Sequence, residues 1–465
     1  MRRSSTREGG PTQRQWPPAR WQPRRGKGGA DRFPSNPPAS NSNPRAARRS
    51  PRRGGASRCA GLAPWLRLVV LSVPLAAPAR AAAQSPPTLG QVVDAALRGN
   101  PDLLQARLRV DSAHGERRIA RALPNPTLAG IPGNPYQYSV GLPIDLSPER
   151  FYRTRAARQG EVATELGRQD MIRQVVFSVR SGFYDLLLAD ATRQIALEQR
   201  DIFQQLLSAD SVRLRAGDLP ERDLVKSELE FARAEATLTR AEAGLRAARL
   251  SLQALMGVVD PDTGFRVTGE LQSAPRLSVP FDSLVPLALA KRPDIAAARE
   301  QVDQSRSLKA LATANLFPVP FVSLVYQNQP FASGLRYAFG VALPVPLFYW
   351  NGGERQRAGA SLSAAEVAVQ RARVQIESDV AVAVGSFRSA QVLAARYQSG
   401  LLEKSAAALE TSRFAYQQGA VSLLELLDAI RTYGDTRSEY YGAVHDYWVA
   451  AFALSRAVGE DIVGQ

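Results

Sequence analysis

Residues 149–215 constrain the fold of this chain more than any other segment. After Pro148 the segment contains no proline and is rich in Arg, Gln, Glu, Ala and Leu, which all favour helix. A continuous helix of this length would extend ~100 Å at 1.5 Å per residue. Residues 354–417 predict a second helix, ~96 Å long by the same rule. No compact domain houses such helices, so they need partners along their length.

The two long segments belong to an internal repeat. Five short motifs recur in the same order in both halves: Pro101-Asp102 and Pro293-Asp294, Pro124-Asn125-Pro126 and Pro318-Val319-Pro320, Tyr138–Pro143 and Tyr337–Pro344, Arg215–Gly217 and Gln417–Gly419, and Leu255–Gly257 and Ala457–Gly459. We therefore predict a first structural repeat over residues 84–270 and a second over residues 271–465. Each repeat predicts a short helix, a helix, a strand pair, a very long helix, a turn and a long returning helix.

The returning helices carry small or apolar residues at coiled-coil spacing. In the first repeat these are Val225, Leu229, Ala232, Ala236, Thr239 and Ala243. In the second they are Leu423, Leu427, Ile430, Gly434, Arg437, Tyr441, Val444 and Trp448, with Arg437 as the polar interruption. A returning helix over 219–256, placed end-on to a helix over 294–316, spans ~92 Å. Two shorter helices are therefore predicted to line one long helix.

Strand candidates lie between the helical segments. In the second repeat they are residues 321–327 and 335–348; in the first they are Thr127–Ile131 and Tyr136–Leu146. The second pair, of seven and fourteen residues, is comparable with the roughly 9–11 residues of membrane strands, whereas the outgoing strand of the first pair, with five, falls short. Four strands cannot close a barrel alone, and lipid does not tolerate open sheet edges. On this interpretation several chains must share one barrel.

The basic charge of the chain lies near its N-terminus. Of 59 Lys and Arg residues, 17 fall within residues 1–83, which hold only two acidic residues. The rest of the chain has 42 basic and 41 acidic residues, so its net charge is close to neutral. Residues 1–57 are rich in Arg, Pro, Gly and Ser and cannot form a core. We expect a disordered basic leader or an over-extended translation start; a nucleic-acid-binding arm is the alternative.

Residues 58–83 have basic, apolar and small residues in the order that is typical of a secretory signal peptide. Basic residues flank an apolar stretch from Leu68 to Val73, and small residues follow. The mature protein is expected to begin near Ala82 or Gln84. The single cysteine, Cys59, would leave with the signal, so neither a disulfide framework nor an acylated N-terminal cysteine is expected. Elsewhere no apolar run reaches the roughly 18–20 residues of a spanning helix, so any membrane crossing would use strands.

Two further segments carry a family resemblance. Residues 414–429 have the sequence FAYQQGAVSLLELLDA, and Pro344–Phe348 is followed by Asn351 and Gly352. With the duplicated element order, the chain resembles TolC-type outer-membrane efflux factors over residues 88–462. It is most similar to the outer subunits of cobalt–zinc–cadmium and related resistance–nodulation–division exporters.

The resemblance implies a fold and a set of partners. The fold is mostly α with a small β part: a homotrimer with a shared barrel of twelve strands in outer-membrane lipid and a long coiled-coil α-barrel in the periplasm. The implied partners are a periplasmic adaptor protein and, through it, an inner-membrane resistance–nodulation–division pump. No nucleic-acid partner is expected.

By the same resemblance, the two helical turns form tips that face the adaptor. The residues concerned are Gly217, Leu219, Gly419, Val421 and Ser422. The two glycines fall where a helix ends, and glycine adopts a left-handed backbone at little cost. A simple helix C-cap explains them equally well, and the two explanations are compatible.

Four residues next to the turns match a periplasmic aperture in the family. They are Asp223, Tyr416, Glu425 and Asp428. In a trimer each acid would become a ring of three like charges, which attracts cations and favours closure through neighbouring donors. The alternative is that acids in the first turn of a helix merely complement its dipole.

The sequence gives no sign of an enzyme, a resident metal or a cofactor. His114 and His445 are the only histidines and stand far apart from each other and from Met171 and Met256, in no ligand spacing. No nucleophile constellation or phosphate-binding glycine loop is present. We therefore expect a passive exit duct for metal ions or small toxic compounds. A type I secretion duct for proteins and a periplasmic coiled-coil adaptor are the alternatives.

Overall fold

A computed structural model describes residues 86–133, 136–145, 147–261, 264–271, 280–316, 319–328 and 336–462. The predicted leader and signal peptide lie outside these residues. The helices are α1 (Leu89–Gly99), α2 (Pro101–Arg121), α3 (Pro148–Ala216), α4 (Glu221–Leu255), α5 (Leu284–Lys291), α6 (Pro293–Ala314), α7 (Gly352–Gln398), α8 (Leu401–Gln417) and α9 (Leu423–Val458). The strands are β1 (Thr127–Ile131), β2 (Tyr136–Pro143), β3 (Phe321–Asn328) and β4 (Tyr337–Ala342).

Helix α3 confirms the first long-helix prediction. It contains 69 residues, begins with Pro148 in its first turn and ends at Ala216; the next residue, Gly217, has a φ of 85°. Proline fits the first turn because its missing N–H has no partner there, and glycine tolerates the left-handed conformation that ends a helix. Both boundaries lie within one residue of the predicted ones.

The second long helix is broken, so the prediction of one continuous helix over residues 354–417 is wrong. Helix α7 ends at Gln398 and helix α8 begins at Leu401. Between them Gly400 has a φ of 94°, a left-handed conformation that a helix interior cannot contain. The sequence around Gly400 favours helix, but a single glycine suffices to interrupt it.

The helices pack in two connected rows that share α3. One row has the order α2, α3, α6, α7, and the other has the order α4, α3, α9, followed by α7 and α8. Helix α6 lies along the first part of α3, where Ser307 Oγ donates to Gln159 Oε1 at 2.6 Å. Helix α4 lies along the last part of α3. The prediction that two shorter helices line one long helix is confirmed.

The two predicted coiled-coil seams have different outcomes. Most of the α9 seam is buried, and Arg437 within it pairs with Glu198 of α3. The α4 seam is not the one used inside the chain, because Val225 and Leu229 are 55% and 50% exposed. Helix α4 instead packs through a parallel stripe, two positions along, formed by Ser227, Ala234, Leu245 and Leu252.

The four strands form one antiparallel sheet in the order β1-β2-β3-β4. The central pairing of β2 with β3 joins the two halves of the chain, with Val140 opposite Leu324. The strand predicted over 335–348 is much shorter, because β4 ends at Ala342, two residues before Pro344. Strand β2 likewise ends at Pro143 rather than residue 146. Proline lacks the N–H that would extend a ladder.

Equivalent junctions in the two halves are held by side chains that reach a helix end. In the first half Asn100 Nδ2 donates to the Leu255 carbonyl at 2.8 Å, and in the second half Arg292 Nη1 donates to the Ala457 carbonyl at 3.2 Å. The guanidinium of Arg292 also pairs with Asp294 and Asp379 at 2.6 and 2.9 Å. Both halves thus anchor their second helix in the same way; the exact repeat boundaries stay a prediction.

None of the helices in the described ranges combines the length and the apolar character needed to cross a membrane.

Candidate functional site

The turn between α3 and α4 is a compact hairpin end. Gly217 N–H donates to the Leu214 carbonyl at 3.0 Å, and Asp218 N–H donates to the Arg213 carbonyl at 2.9 Å. This bond pattern with a left-handed glycine is a Schellman cap. Leu219, just beyond the glycine, is buried.

The turn between α8 and α9 repeats this geometry. Gly419 has a φ of 70°, and the Ala420 N–H donates to the Ala415 carbonyl at 2.9 Å. Ser422 caps α9, its Oγ accepting from the Glu425 N–H at 3.3 Å. Val421 is half-buried against the apolar cluster below the turn. The two turns are therefore small, well-capped ends. Apart from the adjacent residues, no atom of the described chain lies within 4 Å of the position that a Cβ would take at Gly217 or Gly419.

A buried carboxylate links the two hairpins just behind these turns. Asp210 of α3 is fully buried. Its Oδ1 accepts from the Tyr416 hydroxyl at 2.8 Å, and its Oδ2 accepts from Ser227 Oγ at 2.5 Å. The Arg213 guanidinium lies over the Tyr416 ring, 5.1 Å from the centroid. Three helices, α3, α4 and α8, are thus tied together through one acidic side chain.

The environment of Tyr416 keeps its phenol in the neutral form. Burial raises the pKa of Tyr416, and the hydrogen bond to Asp210 raises it further. Tyr416 is therefore a permanent hydrogen-bond donor across the physiological pH range. Apolar residues surround the linkage, among them Leu206, Leu409, Leu423 and Ile430.

Sequence reasoning did not identify Asp210. The available signal was its position, because Phe203, Leu206 and Asp210 follow one another at helical spacing on the face of α3 that is buried. A carboxylate on an apolar face needs hydrogen-bond partners, and Tyr416 and Ser227 provide them.

The structure brings together only some of the predicted aperture residues. Asp223 lies near Tyr416, raising the pKa of Tyr416 slightly, and accepts from Lys226 Nζ at 2.9 Å. Glu425 and Asp428 are exposed on α9. Within the described residues neither of them has a side-chain hydrogen bond or an ion pair, and neither contacts the Asp210 linkage.

A second cross-hairpin contact lies further from the turns. Glu230 of α4 is buried, and its Oε1 lies 2.7 Å from Arg431 of α9 and 2.8 Å from Arg233 of α4. This contact was also not predicted. Together with Asp210 it makes the hairpin ends a region of paired, partly buried charge.

The sheet at the other end has two unlike faces. Along β2, the exposed positions are Tyr136, Tyr138, Val140 and Leu142, and they alternate with Gln137, Ser139, Gly141 and Pro143. The pairing register extends the apolar face across the sheet through Leu128, Leu324, Phe339 and Val341. Phe339 is 71% exposed. The opposite face is more polar and has smaller side chains: Gln137, Ser139, Gly141, Ser323 and Gly340 lie on it, together with Ile131, Phe321 and Val325.

Both histidines lie within hydrogen-bonding distance of acidic side chains. His114 Nδ1 lies 3.0 Å from Glu161, and His445 lies between Asp185 at 2.7 Å and Asp446 at 3.0 Å. The two acids contact opposite nitrogens of the His445 ring, so the three groups do not converge on one point. In the parts of the chain that the structure describes, no three His, Cys, Asp or Glu residues are arranged to hold a metal ion.

This sheet and these helical hairpins occur together in solved outer-membrane channels. A structure of CusC covers 80% of this chain and 92% of its own length, with a TM-score of 0.68 and 22% identity. The CmeC outer membrane channel of Campylobacter jejuni covers 81% of this chain and 86% of that chain, with a TM-score of 0.69 and 16% identity. These structures define the class of the fold.

Sequence comparison then identifies the family. The family model described as outer membrane efflux protein matches residues 133–258 and 284–460, one stretch in each half. The chain belongs to the outer membrane efflux protein family, as its TolC-type resemblance predicted. The cobalt-zinc-cadmium resistance protein CzcC of Cupriavidus metallidurans is 28% identical over 387 residues, covering 81% of this chain and 91% of CzcC. The cation efflux system protein CusC of Escherichia coli K12 is 26% identical over 418 residues, 79% of this chain and 85% of CusC.

Proposed function

We propose that this chain is the outer-membrane channel subunit of a tripartite efflux system, a passive exit duct for metal ions or small toxic compounds. The observation that carries the proposal is the sheet, whose apolar face is exposed and whose outer strands, β1 and β4, each have one edge with no partner strand among the described residues. Such a surface is costly in water and suits a lipid layer, provided that the edges are closed.

Closure requires other copies of the chain. The edge strands of the sheet are connected in sequence to the outer helices of one helical row, β1 to α2 and β4 to α7. Apolar residues are also exposed on the outer helices. On one side these are Leu104 and Leu108 of α2 with Val225 and Leu229 of α4; on the other they are Val367, Val374 and Val382 of α7. Two unlike edges fit a head-to-tail ring rather than a two-fold pair. A homotrimer then gives one barrel of twelve strands above one helical tunnel.

The hairpin ends supply the periplasmic aperture in this proposal. Glu425 and Asp428 are exposed and unpaired within the described chain, so in a ring they are free to face a lumen. The Asp210 linkage holds the two hairpins of each subunit together behind them. Rings of acids favour cations over anions.

Metal ions are the favoured cargo because of the relatives. CzcC is a cobalt-zinc-cadmium resistance protein and CusC belongs to a cation efflux system. The capped tips at Gly217, Leu219, Gly419, Val421 and Ser422 are proposed to dock to a periplasmic adaptor, and through it to an inner-membrane resistance–nodulation–division pump.

A matched pair on β2 tests the membrane assignment. Val140→Arg puts a charge on the apolar face, which costs about 2–4 kcal/mol near the middle of a bilayer, whereas Ser139→Arg puts the same charge on the opposite face. We expect Val140→Arg, and not Ser139→Arg, to reduce the amount of protein recovered with the outer-membrane fraction. Equal recovery of both variants would refute the proposed lipid face. Recovery of the wild-type protein in the soluble periplasmic fraction would favour a periplasmic adaptor instead.

Conductance of purified protein in planar bilayers tests the aperture. The double variant Glu425→Ala with Asp428→Ala is expected to raise the closed-state conductance and to lower the preference for cations. Glu410→Ala on α8, an exposed acid outside the predicted aperture, is the control. An unchanged conductance and an unchanged ion preference in the double variant would rule out the acidic aperture.

Metal tolerance tests the cargo and the adaptor tip. A deletion strain is expected to be sensitive to cobalt, zinc or cadmium and to be rescued by the wild-type gene. Gly419→Trp is expected to abolish rescue while the trimer, measured by cross-linking, stays intact. Full rescue by Gly419→Trp would contradict the tip assignment, and normal metal tolerance with impaired export of a protein would favour a type I secretion duct.

A further inference from the structure

A basic groove lies where the sheet meets the helices. It is a cavity of 850 Å³ that begins at Asp145 and Ser147, just after β2, and continues along α3 past Arg150, Arg155 and Arg158. Phe151 and Val162 line the same groove, and Phe151 is 61% exposed. The groove therefore combines three guanidinium groups with exposed apolar surface.

The arginines of this groove have few partners among the residues that the structure describes. Among the described residues the side chains of Arg155 and Arg158 have no hydrogen bond and no ion pair. Arg150 donates only to the Arg121 carbonyl, at 3.0 Å, which leaves its charge uncompensated. An unpaired cluster of guanidinium groups repels itself, so it is most stable when an anion lies among its members.

The acids of the groove do not neutralise it. Asp145 accepts from Arg153 at 2.8 Å, and Asp303 pairs with Arg306 at 2.5 Å. Glu300 is the one lining carboxylate that has no partner within the described residues. The dipole of α3 adds partial positive charge at its N-terminus, where no side-chain cap bonds the first N–H groups. The acid of this first turn, Glu149, pairs with Arg153 at 3.3 Å. The free charge of the groove is positive.

We propose that this groove binds the phosphate group of a phospholipid. The inference rests on the proposed function, which puts the apolar sheet face in a lipid layer and this junction at the boundary of that layer. A phosphate then lies among Arg150, Arg155 and Arg158, which form charge-assisted hydrogen bonds to its oxygens. The acyl chains continue from Phe151 towards the exposed apolar face of β2. The site would fix the height of the channel in the membrane.

Binding of a short-chain phospholipid tests the proposal. Purified assemblies in detergent are titrated with dihexanoyl-phosphatidylglycerol and, separately, with sodium phosphate. We expect the variant Arg155→Gln with Arg158→Gln to bind the lipid about tenfold more weakly, the effect of losing one or two charge-assisted hydrogen bonds. Arg155→Lys with Arg158→Lys retains the charge and is expected to keep part of the affinity. Arg240→Gln with Arg246→Gln, which removes two exposed arginines of α4, is the matched control.

Three results would overturn the proposal. The first is equal lipid affinity in the glutamine variant and the α4 control. The second is tight binding of inorganic phosphate that displaces the lipid completely, which indicates a site for a free anion. The third is loss of the oligomer in the glutamine variant alone, which indicates that a neighbouring subunit covers the groove. The glutamine variant is expected to remain in the outer-membrane fraction; absence of the wild-type protein from that fraction would instead defeat the proposed function.

Discussion

Glycines with positive φ close several helices of this chain, but they differ in what surrounds them. Gly217 has a φ of 85° with no atom within 4 Å of the position that a Cβ would take. Gly257 has a φ of 78°, and its Cβ would lie 2.1 Å from the backbone oxygen of Gly99. The first position needs glycine for its conformation alone, whereas the second also needs it for space.

This contrast predicts different costs for the same substitution. Gly217→Ala is expected to lower the free energy of unfolding by about 1–2 kcal/mol, the penalty of a left-handed alanine. Gly257→Ala is expected to add about 1–3 kcal/mol more, because backbone atoms must separate to admit the methyl group. Thermal unfolding of both variants beside the wild type measures the difference. Equal losses would contradict the collision at Gly99.

The hydroxyl of Tyr416 is expected to stabilise the hairpin ends. Tyr416→Phe removes one of two O–H donors from the buried carboxylate of Asp210, which costs about 1–3 kcal/mol. Tyr440→Phe removes a hydroxyl that has no hydrogen bond in the described part of the chain and is expected to be close to neutral. Denaturant unfolding compares the two variants. A Tyr416→Phe variant as stable as Tyr440→Phe would show that the linkage contributes little.

His445 makes the contact between α3 and α9 sensitive to pH. Burial lowers the pKa of His445, but the hydrogen bonds to Asp185 and Asp446 outweigh it and leave the pKa above its usual value. A raised pKa means that the stabilisation is complete below the unfolded pKa of about 6.5 and is lost as the pH rises through the folded value. We expect stability to decrease over this range and His445→Gln to remove that decrease. The same pH dependence in His445→Gln would assign it to another group.

At the scale of helices and strands, the sequence predicts where a helix lies better than it predicts which face of that helix packs against its neighbour. The limits of α3 could be predicted because Pro148 and Gly217 mark its ends locally. The seam of α4 could not, because the helix has two stripes of small and apolar residues and only the packing on α3 selects Ser227, Ala234, Leu245 and Leu252. The break at Gly400 was missed because glycine also occurs within helices, as at Gly244.

The residues of the candidate site follow the same division. The left-handed conformation of Gly217 and Gly419 could be predicted from local helix-end chemistry, and their role towards an adaptor stays a prediction. Asp210 was not, because its partners Tyr416 and Ser227 are 206 and 17 residues away in sequence. Strands β2 and β4 are shorter than predicted, because prolines near the ends of both strands stop the hydrogen-bonded ladder. Local sequence signals were sufficient for features set by one residue, such as a helix end. They were insufficient for contacts that depend on two residues far apart in the sequence.

The Arg292 cluster is expected to hold the second half of the chain together. Its guanidinium is almost fully buried and bonds to Asp294, Asp379 and the Ala457 carbonyl. Arg292→Leu would leave Asp294 and Asp379 without their cation; because both acids are about one-third exposed to solvent, we expect a cost of about 1.5–3 kcal/mol, the range for hydrogen bonds to charged groups. Arg373→Leu, which breaks an exposed pair with Glu377, is expected to cost less than about 1 kcal/mol. Similar unfolding curves for both variants would contradict this role.

At the scale of the whole molecule, the exposed stripe on α4 is explained by the proposed contact between subunits, whereas packing within a single chain leaves it uncovered. Leu229→Asp would bury an unpaired charge in the proposed contact between subunits and is expected to reduce assembly by about tenfold or more. Thr237→Asp, on the same helix but off the stripe, is the control. Cross-linking in membranes measures the trimer fraction. Assembly by Leu229→Asp at the level of the control would remove this stripe from the interface.

The outer edges of β1 and β4, which have no partner strand among the described residues, also have a consequence for a cell that carries two versions of the gene. In the proposed three-membered ring each subunit contacts both neighbours, so one defective copy takes part in two of the three contacts between subunits. In a cell producing equal amounts of intact and defective chains, only about one in eight three-membered rings would be free of the defect. Variants that assemble but do not conduct should therefore be dominant over the wild-type allele, whereas variants that fail to assemble should be recessive.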